Sequence, residues 1–253
     1  MASHMIPRER CEYSAIVDRP PLKLPGGARL AFWTIVNYEV WDISRPMARQ
    51  VLPAPTGQVL LPDVPNWSWH EYGMRVGVWR FFDLFRRLAI RPTLSINARV
   101  CEDYERVARA AHEAGWEFMG HAYEQGPMHL IEDQQAMIER SVGVIERFTG
   151  AKPVGWLGPG LTQTYDTPEL LAAAGIKYIG DWVYDDEPGA AGQCERRAVD
   201  DRRIGGALAR DHAALPRKAA ARRAISSGDT SSMCIVTYHL WPNGSSIVPM
   251  RSP

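Results

Sequence analysis

The segment GWEFMGHAYEQ, residues 115–125, places groups suited to proton transfer or hydrogen bonding directly after a short apolar run. The run at 116–119 is typical of a buried strand, and His121, Glu124 and Gln125 follow it. Carboxylates facing an imidazole in a dry cleft suit hydrolysis, because one group can activate water while another donates a proton to the leaving group. The segment therefore predicts acid–base chemistry at the end of this strand.

Polar residues also follow the other four predicted strands. Alone, a histidine or aspartate after a strand is more often a turn or capping residue. Together these residues predict a site, because the chemistry of β/α barrels lies at the carboxyl ends of the strands, where the loops converge. They are Asn37, Tyr38 and Glu39, then Asn97, then Gly158 to Gly160, and then Asp181, Asp185 and Asp186.

Strand and helix patterns alternate along residues 28–179. Repeated strand–helix units predict parallel strands joined by helical crossovers. An open dinucleotide-binding sheet would carry a Gly-rich turn after its first strand, and the sequence has none there, so we predict a β/α barrel. Five strands do not close a barrel, so further strands would have to come from the C-terminal part. The predicted strands are 28–36, 92–97, 116–119, 153–157 and 176–179, and the predicted helices are 76–88, 102–113, 131–148 and one that Thr167 caps, with Pro168 at its first position and Gly175 at its end.

The connection between residues 40 and 72 is long and rich in proline and tryptophan. Loops of this length in compact domains are usually functional or disordered, and the aromatic residues argue against disorder. We therefore expect the connection to cover the predicted site or to pack against a neighbouring subunit. A homo-oligomer is expected because exposed apolar patches often mark interfaces.

The composition argues against several classes of partner. Basic and acidic residues number 29 each, so the formal net charge is zero and nothing overall favours nucleic acid or an anionic membrane. No apolar run approaches the length of a membrane span. Four scattered cysteines form no close metal-binding pair, which predicts reduced thiols in a cytoplasmic protein. Residues 1–10, beginning MASHM, read as an expression scar and an N-terminal arm.

Residues 189–253 differ in composition from the rest of the chain. They contain only two aromatic residues, Tyr238 and Trp241, and eight arginines lie between residues 189 and 223. An aromatic-poor basic segment has little with which to form a core. One interpretation is a disordered or helical basic tail. The other is a shifted reading frame, because a GC-rich gene read out of frame gives Ala/Arg-rich sequence.

Several separate segments resemble the polysaccharide deacetylase (NodB-like) superfamily, and they follow one another in the same order. These segments are IVDRPPLKLPGGARLAFWTIVNYEVW, DVPNWSWHEYGMRVGVWR, GWEFMGHAYEQ and PVGWLGPGLTQTYDTPELLAAAGIKYIGDWVYDDEP. The match is closest to the branch of allantoinase-like and cyclic-imidase-like hydrolases, and it covers about residues 11–188. The resemblance implies a distorted (β/α) barrel that hydrolyses amide bonds other than peptide bonds.

The resemblance also implies roles for single residues. The superfamily's first motif places a base beside a metal ligand; here Glu39 stands at the base position, and Val40, which cannot bind a metal, stands beside it. The second motif has two histidines four residues apart; His121 matches the first, and Gln125 replaces the second. Two of the three usual ligands are thus missing, which favours metal-independent hydrolysis over a zinc-dependent reaction.

Two further motifs complete the implied site. The sequence GWLGPG at 155–160 matches the third motif, a loop that lines the substrate cleft. Asp181 and Trp182, together with Asp185 and Asp186, match the fourth motif, whose acid orients the catalytic residues. The predicted catalytic residues are Glu39, His121, Asp181 and Glu124, the predicted substrate-binding residues are Asn37, Asn97, Gln125, Trp156, Gly158, Pro159 and Trp182, and no metal ligand is predicted.

Three functions stay open on the sequence alone. The first is a hydrolase of a carbon–nitrogen bond in a small cyclic or linear amide. The second is a metal-dependent deacetylase of an N-acetylated polysaccharide or peptidoglycan, which would need a replacement zinc ligand set such as Glu39, His121 and His129. The third is a non-catalytic family member. The segment at 231–239, which ends in His239, resembles the start of the family's C-terminal part, but the sequence after it departs from the family.

Overall fold

The computed structural model describes residues 7–11, 13–28, 30–47, 52–54, 57–182 and 185, together with the backbone of a strand at 232–239. The described residues fall into two compact units. The smaller unit contains the described residues before Trp33 together with Asp185 and residues 232–234, and the larger contains those from Trp33 to Trp182 together with residues 235–239. Apart from the strand, the predicted tail at 189–253 lies outside the described residues, as does Asp186.

In the smaller unit, an ion pair joins two segments that are far apart in sequence. The unit contains a short helix, α1 (Pro7–Arg10), and 3₁₀ turns at Ile16–Asp18 and Pro25–Gly27. The guanidinium of Arg19 donates to both carboxylate oxygens of Asp185, at 2.9 Å and 2.7 Å. The sequence groups Asp185 with the polar residues after the fifth strand, and the structure shows its carboxylate bound by Arg19.

A six-stranded sheet forms the centre of the fold. Its strands are β1 (Leu30–Tyr38), β2 (Thr93–Ile96), β3 (Glu117–Gly120), β4 (Gly155–Trp156), β5 (Tyr178–Ile179) and β6 (Ser232–His239). Their order is β5-β4-β3-β2-β1-β6, and every neighbouring pair from β1 to β5 is parallel. Each of the five predicted strands overlaps one of the strands β1 to β5, so the predicted parallel architecture is confirmed.

Helices connect the consecutive parallel strands, as parallel pairing requires. Among the described residues, no helix is both long enough and apolar enough to cross a bilayer. The helices are α2 (Val64–Tyr72), α3 (Val78–Leu88), α4 (Val100–Asp103), α5 (Glu105–Glu113), α6 (Gln134–Thr149) and α7 (Thr167–Ala173), with a π-helical turn at Gly73–Gly77 and 3₁₀ turns at Met128–Leu130 and Pro159–Leu161.

The long loop predicted between residues 40 and 72 is shorter than expected, because its last nine residues form helix α2. Helix α2 continues through the π-helical turn directly into α3. Asp63 caps α2, since its side chain accepts a hydrogen bond from the backbone N–H of Asn66 at 3.3 Å. Pro65 lies in the first turn, where a missing N–H costs no bond. The sequence does not reveal α2 because its Trp, Asn, Ser, His and Tyr residues have low helix propensity.

Other helix boundaries differ from their predictions by a few residues. The helix predicted at 102–113 is two helices, α4 and α5, because Tyr104 between them has a non-helical backbone. The helix predicted to begin at residue 131 begins at Gln134, after Asp133, whose side chain accepts a hydrogen bond from the N–H of Ala136 at 2.9 Å. Thr167, predicted as a cap, is the first residue of α7.

Two buried apolar clusters hold the helices on the sheet. In the first, Phe85 of α3 meets Trp116, which precedes β3, edge to face at 5.6 Å between ring centroids. The second contains Trp156, which is fully buried among residues of α6 and α7. Gly120 lies directly against this ring, because a Cβ at position 120 would be 2.6 Å from Cε3 of Trp156. The carboxyl end of β3 therefore has room only for glycine.

We expect Gly120→Ala to lower the free energy of unfolding by about 1–3 kcal/mol, because the new methyl group overlaps a ring that cannot move aside. Gly143→Ala is the matched control. Its new Cβ would be near only Arg147 Nη1, at 3.3 Å, and this long side chain can move. In mid-helix, alanine should raise stability by about 0.5–1 kcal/mol. Urea unfolding of the three proteins measures both effects, and equal stabilities would contradict the packing described.

Candidate active site

The backbone ladder of the sheet continues one residue beyond the strands and places polar side chains side by side. Asn97 N–H donates to the carbonyl of Tyr38 at 2.9 Å, and His121 N–H donates to that of Ile96 at 3.0 Å. Leu157 N–H continues the row by donating to the carbonyl of Gly120 at 2.9 Å. The residues that follow adjacent strands are therefore neighbours, as the sequence predicts for the carboxyl ends of parallel strands.

Glu39 and His121 meet at this rim. His121 Nε2 lies 3.5 Å from Glu39 Oε1, and the two side chains are 3% and 14% exposed. His121 Nδ1 is hydrogen-bonded to the carbonyl oxygen of Leu157. Because a carbonyl can only accept, Nδ1 carries a proton, and Nε2 faces the carboxylate. This nearly water-free pair of carboxylate and imidazole is able to exchange protons with a substrate or with a water between them.

Asp181 adds a second buried carboxyl close to His121. One of its oxygens accepts a hydrogen bond from the backbone N–H of Gly158 at 2.5 Å. The other, Oδ2, is buried and has no hydrogen-bond partner among the residues that the structure describes. Burial raises the pKa of Asp181 to about 6, although the Gly158 hydrogen bond and the charge of His121 both act to lower it. Burial therefore outweighs both of these contacts.

The side chain of Asn97 joins the turn that carries Glu39 to the turn that carries His121. Asn97 is fully buried, its Oδ1 accepts from the N–H of Val40 at 2.9 Å, and its Nδ2 donates to the carbonyl of His121. Gln125 completes the connection, with its N–H donating to the carbonyl of Val40 at 3.0 Å. Asn97 and Gln125 therefore hold the two turns together in the structure, and their predicted contact with substrate stays a prediction.

The other predicted substrate-binding residues differ in how deeply they are buried. Trp156 is fully buried in the core beneath the rim, and Asn37 is buried within β1. Gly158 binds Asp181 through its backbone; a side chain there would be 2.9 Å from Asp181 Oδ2. Pro159 is buried in the 3₁₀ turn that follows, and Trp182 is half-buried beside Asp181 in sequence.

Glu124, the second predicted carboxylate, lies in an ion-pair network. Its Oε2 is 2.9 Å from Nη1 of Arg99, and its Oε1 is 3.9 Å from Nη1 of Arg45. Arg99 also pairs with Asp103 at 2.8 Å. Sequence reasoning missed both arginines, because each lies in a turn and no periodic pattern distinguishes it from a surface arginine.

Trp41 is a further residue that sequence reasoning did not assign to the site. Its indole N–H donates to Glu39 Oε2 at 3.0 Å. Its ring stacks on His70 of α2, with 4.4 Å between centroids and 26° between planes. The signal available in the sequence is its place two residues after Glu39, at the start of the Trp-rich connection.

The residues present do not fit the three-ligand metal site that the resemblance implies. Val40 is buried and offers no donor side chain, and Gln125 offers a neutral amide. His121 has only Nε2 to offer, and His129 is exposed in a 3₁₀ turn. Within the described ranges, no three His, Cys, Asp or Glu residues form a group that could hold a metal ion.

The fold and part of the sequence are similar to proteins of known structure. Residues 69–179 match the polysaccharide deacetylase family. A probable polysaccharide deacetylase from Pseudomonas aeruginosa is 26% identical with a TM-score of 0.59, over 74% of this chain and 63% of that one. Puue allantoinase is 26% identical with a TM-score of 0.60, over 74% of this chain and 65% of that one. These similarities confirm the predicted resemblance and the predicted distorted (β/α) barrel of NodB type.

Two named relatives are similar in sequence. The peptidoglycan deacetylase-like protein FGM2 of Gibberella zeae is 26% identical over 173 residues, which are 67% of this chain and 49% of that protein. The peptidoglycan deacetylase of Helicobacter pylori is 26% identical over 113 residues, which are 44% of this chain and 39% of that protein. The chain thus spans half or less of the length of these relatives.

The raised pKa of Asp181 predicts a stability that falls as the pH rises. The folded chain holds this proton more tightly than the unfolded chain, where the pKa is about 3.9. The stabilisation is therefore fully present below about pH 4 and is lost as the pH rises through about 6. Asp181→Asn keeps a neutral group at this position, so its free energy of unfolding relative to wild type should rise by about 2 kcal/mol between pH 4 and pH 7.5.

Urea unfolding of both proteins across this pH range measures the difference, and the other titrating groups cancel because both chains share them. Asp83→Asn is the control, since the side chain of Asp83 is 70% exposed on α3. A difference between Asp181→Asn and wild type that stays constant with pH would show that the carboxyl is not buried as described.

Proposed function

We propose that the chain is a member of the polysaccharide deacetylase superfamily, since residues 69–179 match that family, and that it hydrolyses a carbon–nitrogen bond other than a peptide bond in a small molecule, without a metal ion. The observation that carries the proposal is the 3.5 Å approach of Glu39 Oε1 and His121 Nε2 in a nearly buried rim. A carboxylate and an imidazole so placed are the base and acid that amide hydrolysis needs.

The proposed reaction uses each group once. The Glu39 carboxylate accepts a proton from water while the water oxygen bonds to the carbonyl carbon of the substrate. The protonated imidazole of His121 then gives its Nε2 proton to the leaving nitrogen as the carbon–nitrogen bond breaks. Glu39 has gained one proton and His121 has lost one. Proton transfer from Glu39 to His121 restores the pair, and the products are a carboxylic acid and an amine.

Asp181 is proposed to support the charged form of His121. Its carboxyl is close enough to the imidazole for the charge of His121 to lower the pKa of Asp181. An ionised Asp181 would therefore stabilise the imidazolium that donates to the leaving group. Glu39 is favoured over Glu124 as the base, because the carboxylate of Glu124 forms an ion pair with Arg99.

A metal-dependent deacetylase is the second candidate, and the names of the two sequence relatives favour it. It requires donors that the described residues do not bring together. The two similar structures do not separate the candidates, because Puue allantoinase and the probable polysaccharide deacetylase each cover 74% of this chain. The reaction without a metal is favoured because Val40 and Gln125 stand where the resemblance places two of the three metal ligands.

A substrate screen distinguishes these candidates. The purified chain is incubated with hydantoins, cyclic imides, allantoin and N-acetylated sugars, with and without EDTA. We expect turnover of at least one cyclic amide or imide, at an unchanged rate after chelation. Activity on N-acetylated sugars that chelator removes and zinc restores would support the deacetylase. A folded protein that turns over no compound would support the non-catalytic alternative.

Substitutions at the two central residues test the mechanism. Glu39→Gln and His121→Ala should each lower kcat at least about 100-fold, because each removes a proton-transfer group. Circular dichroism should show that both variants keep the fold. Glu113→Gln is the matched control, because Glu113 is an exposed residue at the end of α5 and its variant should keep the wild-type rate. A wild-type rate in either central variant would contradict the assignment.

A further inference from the structure

We propose that Trp41 is a positioning residue that selects which oxygen of Glu39 acts as the base. This inference rests on the proposed role of Glu39. The indole N–H of Trp41 donates to Oε2 at 3.0 Å, while Oε1 lies 3.5 Å from His121 Nε2. The two oxygens of one carboxylate thus have different partners, and rotation of the carboxylate would break the indole contact.

The chemistry of the indole suits a holding role. An indole nitrogen can donate a hydrogen bond, but it neither accepts one nor changes its protonation near neutral pH. It can therefore orient the carboxylate without taking part in proton transfer. Being uncharged, it holds the carboxylate without adding a positive charge beside it, as a lysine or arginine at the same place would.

Two residues of α2 contact Trp41, and these contacts orient its indole. The Trp41 ring stacks on His70, and the indole N–H of Trp67 donates to the carbonyl of Trp41 at 3.2 Å. Glu71 of α2 is in turn hydrogen-bonded by the hydroxyl of Tyr104, at the junction of α4 and α5. Trp41 is thus held by contacts on its ring and on its backbone.

A packing role alone would need only the ring. Phenylalanine at position 41 keeps an aromatic ring for the stack on His70 and removes the N–H group. Trp41→Phe therefore tests the orientation of Glu39 separately from the packing of residue 41 against α2. Trp33→Phe is the matched control, because it removes a similar indole hydrogen bond, from Trp33 Nε1 to Thr93 Oγ1 at 2.7 Å, near the opposite ends of the strands.

The first measurement needs no substrate. In protein labelled with ¹⁵N-tryptophan, the nine indole N–H groups give separate resonances, and the signals lost in Trp41→Phe and Trp33→Phe identify those of Trp41 and Trp33. Glu39→Gln replaces a charged acceptor by a neutral one, which weakens the hydrogen bond. We expect it to move the Trp41 indole proton upfield and to leave the Trp33 signal in place.

The second measurement uses the substrate that the screen identifies. Trp41→Phe should lower kcat roughly tenfold or more, as expected for losing a hydrogen bond to a charged group, with KM changed less than about threefold. Trp33→Phe should keep the wild-type kcat. An unmoved Trp41 signal in Glu39→Gln, or a loss of kcat in Trp41→Phe no larger than in Trp33→Phe, would overturn the inference. If no substrate is turned over, the proposed function fails, and the indole signal still decides whether Trp41 holds Glu39.

Discussion

The hydrogen bond between His121 Nδ1 and the carbonyl of Leu157 determines how the imidazole faces the rest of the rim. It fixes the proton on Nδ1 and gives the whole task of proton exchange to Nε2. Both partners belong to the row of residues just beyond the strands, and Leu157 is itself fixed by its N–H bond to Gly120. The orientation of the ring is therefore set by the register of the sheet.

The buried polar side chains at this rim differ in how completely they are hydrogen-bonded. The amide of Asn97 pairs with the N–H of Val40 and the carbonyl of His121, two backbone groups that no longer have ladder partners beyond the strands. Asp181, in contrast, has one bonded oxygen and one buried oxygen without a partner in the described part of the chain. The first arrangement gives rigidity. The second holds a carboxyl ready to change protonation near neutral pH, which is typical of functional sites.

The sequence predicts the sheet and the meeting of Glu39 with His121 because both depend on simple patterns. Short apolar runs mark the strands, and parallel strands bring whatever follows them to one edge. Contacts that depend on the direction of individual side chains are outside the reach of such patterns. The pairing of Glu124 with Arg99 is one case. The pairing of Arg19 with Asp185, 166 residues apart, is another.

Helix α2 shows the same limit for secondary structure. Its residues have poor helix propensity, and the helix is stabilised by contacts made elsewhere in the fold, such as the hydroxyl of Tyr104 on Glu71. Its cap, Asp63 before Pro65, is readable in the sequence once a helix is suspected. The Trp41 contact to Glu39 then follows from the position of α2, so missing the helix also hides the contact.

The π-helical turn at Gly73–Gly77 gives α2 its rotational phase relative to α3. A π-helical turn accommodates one residue more than an α-helical turn does, and each α-helical residue advances the chain by about 100° around the axis. Removing a single residue from this turn would let α2 and α3 fuse into one regular helix. His70 would then swing by roughly a quarter of a revolution or more away from Trp41. Deleting one residue from this turn would thus separate His70 from Trp41, and so remove the support of the indole that contacts Glu39. Both helices would stay intact.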